Sequence, residues 1–264
     1  MAQIFTLVQI TDPHLHASSE GTLLGMNTEN SLKLIVNRIL QTTPKIEMIL
    51  ATGDIAQDSS VQAYKNFLEH IKPLNAPMRW IPGNHDNREN MAEACIGLDH
   101  SDPVIELDNN WTVILLDSSV PEKVYGELAD DQLKLLDETL KQHKDRHVLL
   151  TFHHHPVNME CKWIDNIGIR NPEDLQVILK KHDNVRAVLF GHVHQDSDRI
   201  IDGVRYISSP STCVQFLPES EDFGIDALGP GYRTLQLLPN GDIETTVERV
   251  KGPEFEIDFS QKGY

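Results

Sequence analysis

Ala187-Val188-Leu189-Phe190-Gly191-His192-Val193-His194 reads as a strand that stops on two histidines. Four consecutive apolar residues bounded by glycine fit a strand buried on both faces. Glycine lets the chain turn tightly, and imidazoles at i and i+2 beyond a buried strand have no core-packing role. That arrangement points to metal binding.

Working outward, the same plan recurs. Apolar runs at Phe5–Ile10, 48–51, Met78–Ile81, 112–116 and 148–152 also read as buried strands. Asp12 and His14 follow the first, Gly53 and Asp54 the second, Asn84 and His85 the third, and His153, His154 and His155 the 148–152 run. Between them lie helical faces: Leu32, Ile35, Val36, Ile39 and Leu40; Tyr64, Phe67, Leu68 and Ile71; Leu133, Leu136 and Leu140. Asp130 and Asp131 offset the dipole at the start of the third helix, and Asn171-Pro172 caps and opens a fourth. From Arg199 the pattern becomes short strands and turns, with Asp202-Gly203 marking a hairpin. This alternation predicts an α/β fold. Ligands of open α/β sheets collect at the carboxyl ends of strands, so the five polar loops converge on one site.

Composition narrows the chemistry. The chain has 264 residues, 39% hydrophobic and 24% charged, as soluble globular proteins do. With 23 Lys and Arg against 40 Asp and Glu, the net charge is −17, which repels a nucleic-acid backbone and anionic lipid. No run approaches the roughly 20 apolar residues of a membrane span, and the start lacks the pattern of a signal peptide. Cys95, Cys161 and Cys213 are scattered and odd in number, as reduced thiols in a cytoplasmic protein are. The expected partner is a small molecule, with neither nucleic acid nor membrane.

Taken singly, Asp12-Pro13-His14 and Gly53-Asp54 are ordinary turn signals. Together, the five loops offer oxygen and nitrogen ligands without sulfur, a set that suits Fe, Mn, Zn or Co. They are too many for one tetrahedral zinc and enough for two adjacent ions sharing a carboxylate.

These motifs resemble those of the calcineurin-like metallophosphoesterase family: D-x-H at Asp12–His14, GD at Gly53-Asp54, GNH[DE] at Gly83–Asp86, a His-containing strand end, and GHxH at Gly191–His194. The resemblance implies a four-layer αββα sandwich of two mixed β-sheets flanked by helices. Residues 1–264 then form one domain, with 199–264 a strand-rich extension of it. It implies that Asp12, His14 and His194 hold one ion, that Asn84, His154 and His192 hold a second, and that Asp54 bridges them. His154 is taken from the triplet because His155-Pro156 follows it, which leaves His153 packed behind the site. His85 is expected to reach the substrate and protonate the leaving alkoxide, with Asp86 holding its imidazole. His14, Asp54, Asn84, His85 and His194 would contact substrate, and a metal-activated hydroxide would attack phosphorus.

Gln57 stands where the purple acid phosphatases carry a tyrosine ligand, which argues against that branch. The segments Gln9–Leu15, Leu24–Thr28, Ala51–Asp58, Leu149–Pro156, Pro210–Phe216 and Gly229–Leu235 resemble the class III cyclic nucleotide phosphodiesterases. Within that class the chain is similar to the bacterial enzymes of 3′,5′-cyclic AMP. The resemblance implies hydrolysis of cyclic AMP to 5′-AMP, with two divalent or trivalent ions, iron first and manganese or another transition metal as alternatives. Other small phosphodiesters (glycerophosphodiesters, cyclic GMP, 2′,3′-cyclic nucleotides) are the alternative substrates. Residues 208–216 and 229–233 are the expected source of substrate preference, with Phe216 or Tyr232 packing on the base.

Overall fold

The strands alternate between two hydrophobic environments, and this builds the layers. In a computed structural model that describes residues 3–96, 100–108, 110–251 and 255–263, the chain opens with β1 (Phe5–Ile10) and the short pair β2 (Thr22–Leu23) and β3 (Met26–Asn27). Next come α1 (Thr28–Thr42), β4 (Met48–Thr52), α2 (Val61–Ile71), β5 (Met78–Ile81) and α3 (Arg88–Ala94). The middle of the chain forms β6 (Val104–Leu107), β7 (Trp111–Leu115), α4 (Asp130–Gln142), β8 (His147–Thr151), α5 (Lys162–Asp165), α6 (Pro172–Leu179) and β9 (Val185–Phe190). The rest is strand-rich: β10 (Ser197–Ile201), β11 (Val204–Ser208), β12 (Gln215–Phe216), β13 (Ile225–Asp226), β14 (Gly231–Leu237) and β15 (Ile243–Arg249).

Two mixed sheets result, in the orders β15-β14-β1-β4-β5 and β10-β11-β9-β8-β7-β6. On β1 and β4, Leu7, Met48 and Leu50 turn toward the second sheet, sharing a core with Val113, Val148, Leu150 and Val188. Their neighbours Val8, Ile10, Ile49 and Ala51 face the other way, onto Leu32, Ile35, Ile39, Tyr64 and Phe67 of α1 and α2. That period-two division places one sheet against the other with helices outside, the αββα sandwich. Buried polar groups join the sheets. Gln9 Nε2 donates to Thr52 Oγ1 (2.7 Å) and across to the Phe190 carbonyl (3.1 Å), and Arg233 Nη2 donates to the Ser208 carbonyl (2.7 Å).

The segment after Arg199 supplies strands to both sheets: β11 pairs with β9, and β14 with β1. Asp202 (φ 51°) and Gly203 (φ 84°) form the two-residue hairpin turn between β10 and β11. Local expectations needed small changes. Leu40 lies off the buried face of α1 and is 47% exposed, because five apolar residues exceed the stripe that α1 buries. Asn171 occupies the cap position of α6, but its side chain hydrogen-bonds the backbone of Leu128 in both directions instead of capping. All three cysteines are free and buried. Among the described residues no helix is long and apolar enough to cross a membrane.

Candidate metal centre

The ends of β1, β4, β5, β8 and β9 meet at one edge of the sandwich. Asp12 (φ 53°), His14 (47°), Asp54 (49°), His192 (68°) and His194 (49°) all adopt left-handed backbone there. Such conformations cost about 1–3 kcal/mol each in non-glycine residues and cluster at functional sites. Backbone bonds between loops hold them: Asp12 N–H to Gly53 O (3.1 Å), His14 N–H to Asp54 O (3.0 Å) and Gly191 N–H to His153 O (3.0 Å). Two glycines make the approach possible. A Cβ on Gly53 would lie 2.3 Å from His153 Nδ1, and one on Gly83 would lie 2.1 Å from Asp54 Oδ1.

Donor atoms of Asp12, His14 and His194 lie within 4.8 Å of one another. His14 donates from Nδ1 to Gln57 Oε1 (2.7 Å) and His194 from Nδ1 to the Val214 carbonyl (2.8 Å). Both rings therefore turn Nε2 inward, and the two Nε2 atoms are 3.2 Å apart. Burial drives His14 down to about 3, against the pull of Asp54, so the ring is neutral at ordinary pH. Asp12 accepts from Thr11 Oγ1 (2.6 Å) and from the His192 amide, and its Oδ1 is 3.5 Å from His194 Nε2. Two facing lone pairs beside a carboxylate are the donor set of a cation.

Beside this group, Asp54 accepts the His85 amide at Oδ1 (2.9 Å) and turns Oδ2 toward His153 Nε2 (3.4 Å) and His14 Nε2 (3.9 Å). Asp54 Oδ2, Asn84 Oδ1, His153 Nε2 and His192 Nδ1 are all buried without a hydrogen-bond partner. Proteins rarely leave one such atom, so this group of them fits a cation site. Burial opposes charge on both Asp54 and His153. Their mutual attraction prevails, holding the carboxyl well below its ordinary value and raising the imidazole to about 9.

Two side chains are directed otherwise than expected. In the triplet, His153 rather than His154 faces the centre. Its Nδ1 donates to the Thr52 carbonyl (2.8 Å), which aims Nε2 at Asp54. His154 lies within the same 4.8 Å group as His153 and His192, yet both its nitrogens are engaged. Nδ1 accepts from Ser118 Oγ (2.9 Å) and Nε2 donates to the Val124 carbonyl (3.2 Å). Asp86, for its part, does not hold the His85 ring. Its carboxylate accepts the amides of Gly83 (2.8 Å), Ile55 (3.1 Å) and Ala56 (3.0 Å), clamping the Asp54 and Asn84 loops together. Burial and Asp54 raise it to about 6 against those donors.

His85 itself stands at the centre, its ring 5.0 Å from that of His14 and within the 4.8 Å group of His14 and Asp54. The proposed base platforms do not reach the surface. Tyr232 is buried among α1 and α2, bonded to Thr42, and Phe216 is buried flat against His194, ring centroids 4.1 Å apart. Residues 208–216 brace the first loop: Ser211 Oγ donates to Asp12 O (2.8 Å) and the Thr212 amide to Thr11 O (3.1 Å). Gln57, Ser118 and Val214, which orient histidines, carried no positive signal in the sequence.

Comparison with known proteins shows the family. The family model described as calcineurin-like phosphoesterase matches residues 5–196. The 3′,5′-cyclic adenosine monophosphate phosphodiesterase CpdA of Pseudomonas aeruginosa is 46% identical over 258 residues, covering 98% of this chain and 94% of that protein. The Escherichia coli K12 protein of the same name is 39% identical over 260 residues, covering 98% and 94%. Among solved structures, a dimetal phosphatase from Danio rerio superposes with a TM-score of 0.65 at 17% identity, covering 93% of this chain and 98% of that one.

Proposed function

This chain belongs to the calcineurin-like phosphoesterase family, and on that premise we propose that it is a metal-dependent phosphodiesterase hydrolysing 3′,5′-cyclic AMP to 5′-AMP. The observation that carries the reading is Asp54 Oδ2, buried and partnerless between His153 and His14, where a carboxylate shared by two ions belongs. The near full-length relatives named for cyclic AMP support the substrate.

Asp12, His14 and His194 would hold one ion, and Asn84, His153 and His192 the other, with Asp54 between them. When bound, two such ions acidify water to a nucleophile at neutral pH and neutralise charge on the phosphoryl oxygens. Gln57 and Val214 keep the protons of His14 and His194 on Nδ1, so that Nε2 stays a lone-pair donor. His85, positioned by its amide on Asp54 and by its carbonyl accepting from Ser59 Oγ, contacts the phosphate and donates a proton to the departing alkoxide. His14, Asp54, Asn84 and His194 line the same phosphate position. Asp86 acts at one remove, by fixing the loops that carry Asp54 and His85.

We take iron as the first metal, with manganese next, since the donor set accepts either. Residues 1–264 act as one domain whose segment 199–264 completes both sheets. The work belongs in the cytoplasm, where free buried thiols persist. Metal analysis joined to kcat/KM for cyclic AMP, cyclic GMP, 2′,3′-cyclic nucleotides and glycerophosphodiesters tests the proposal. Preference for cyclic AMP is expected, and negligible turnover of it by metal-loaded protein refutes the reading. His85→Ala should lower kcat at least about a hundredfold with metal content unchanged.

A further inference from the structure

The nucleoside half of the substrate needs a place beside the centre, and the buried segment 208–216 does not provide one. A cavity of about 390 Å³ opens directly on Asn84 and His85, with Trp163 and Phe223 on its walls. Its volume lies within the range of about 300–1,000 Å³ usual for small-molecule sites. Trp163 and Phe223 meet edge to face, ring centroids 5.1 Å apart, and both pack against Phe216, which lies flat on His194. An aromatic cluster thus runs from the metal centre to the cavity wall. Trp163 Nε1 is buried without a hydrogen-bond partner, an unspent donor in the wall of this cavity.

The rim is charged. Lys123 and Lys262 line the cavity beside a single carboxylate, Glu122, and among the described residues neither lysine is in an ion pair. In a chain of net charge −17 this is a local reversal of sign, suited to an anion. Lys262 arrives from far along the chain. Phe255 and Ile257 pack on the core, and the Asp258 amide donates to the Leu24 carbonyl (2.8 Å). The Asp258 carboxylate then gathers the Ser260 amide (3.0 Å), Ser260 Oγ (2.5 Å) and Gln261 Nε2 (2.7 Å), turning the segment so that Lys262 and Gly263 reach the cavity.

We propose that this cavity is the nucleoside subsite: a purine lies against Trp163 and Phe223, and Lys262, delivered by segment 255–263, secures the anionic nucleotide at the rim. The inference rests on the phosphodiesterase reading and adds the residues that would confer its selectivity. An apolar wall and a few convergent polar groups are what base recognition without nucleic acid requires.

Steady-state kinetics of the metal-loaded protein on cyclic AMP and on methyl 4-nitrophenyl phosphate, an ester without a nucleoside, tests it. Lys262→Ala and Trp163→Leu should each raise KM for cyclic AMP about fivefold or more, and lower the ratio of kcat/KM for cyclic AMP to that for the simple ester by a similar factor. Independently, 5′-AMP should change the tryptophan fluorescence of the wild type and not that of Trp163→Phe, since Trp80 and Trp111 are buried in the core. Parallel losses on both esters, an unchanged KM, or a retained fluorescence response in Trp163→Phe overturns the subsite. Should Trp163→Leu not fold, Lys262→Ala and the fluorescence experiment still decide. A wild type that cleaves the simple ester but not cyclic AMP overturns the parent reading as well, whereas normal cyclic AMP turnover with unaltered selectivity in the variants overturns the subsite alone.

Discussion

His153 Nε2 lies 3.4 Å from Asp54 Oδ2, and neither atom has a hydrogen-bond partner. The next residue, His154, spends both nitrogens on Ser118 and Val124. His153→Ala should therefore lose about one equivalent of metal and at least about a thousandfold in kcat, a loss of the order seen when a group is essential to the chemistry. His154→Gln should keep its metal. Elemental analysis of the two purified variants checks this, and the reverse pattern would return the ligand role to His154.

The same pair sets a pH dependence. In the metal-free protein His153 is raised from 6.5 to about 9, so the proton on it stabilises the fold. That contribution is complete below about pH 6.5 and is lost as pH rises through about 9. A cation must displace this proton, so metal uptake near pH 7 should release about one proton from the ring and tighten with rising pH up to about 9. Calorimetry of metal binding in buffers of differing ionisation enthalpy measures the release. No buffer dependence at pH 7 would count against a charged His153.

Gln57 holds the proton of His14 on Nδ1. Gln57→Leu should leave the fold intact and weaken metal binding about 10- to 100-fold, the usual effect of removing a group behind a ligand histidine. Gln57→Glu keeps an acceptor there and should recover much of the loss. Competition with a chelator reads both variants, and an unchanged affinity in Gln57→Leu would show that the ring needs no support.

Gln9 is fully buried between the sheets, bonded to Thr52, Phe190 and Ser209. Gln9→Leu strands those groups without partners, and the expected cost is about 2–4 kcal/mol in unfolding free energy. Urea denaturation of the metal-free protein measures it. A change below about 1 kcal/mol would mean that water or a rearranged neighbour satisfies them.

Much of the fold was legible because its signals are local. The apolar runs became β1, β4, β5, β7, β8 and β9, with β1 and β5 unchanged and the others shifted by a residue or two at their ends, because four or more buried side chains in succession have few other solutions. Asp202-Gly203 made the hairpin that its φ requirements predict. Leu40 was less legible, since an apolar residue at the border of a stripe can fall on either side of it. Asn171 shows the same limit. A good capping side chain was drawn instead to Leu128, 43 positions away.

By itself, then, the sequence determined the chemistry: carboxylate, amide and imidazole at five strand ends, in an order that one edge of an α/β sheet must bring together. Tertiary structure decided which way each group points. Thr52 aims His153 Nε2 at Asp54 while Ser118 and Val124 engage both nitrogens of His154, and the Asp86 carboxylate is spent on three amides. Trp163 and Lys262 come to one cavity from opposite ends of a hundred-residue interval. Strand order follows from local burial, but the direction of a side chain follows from partners far off in the chain, and only folding supplies those.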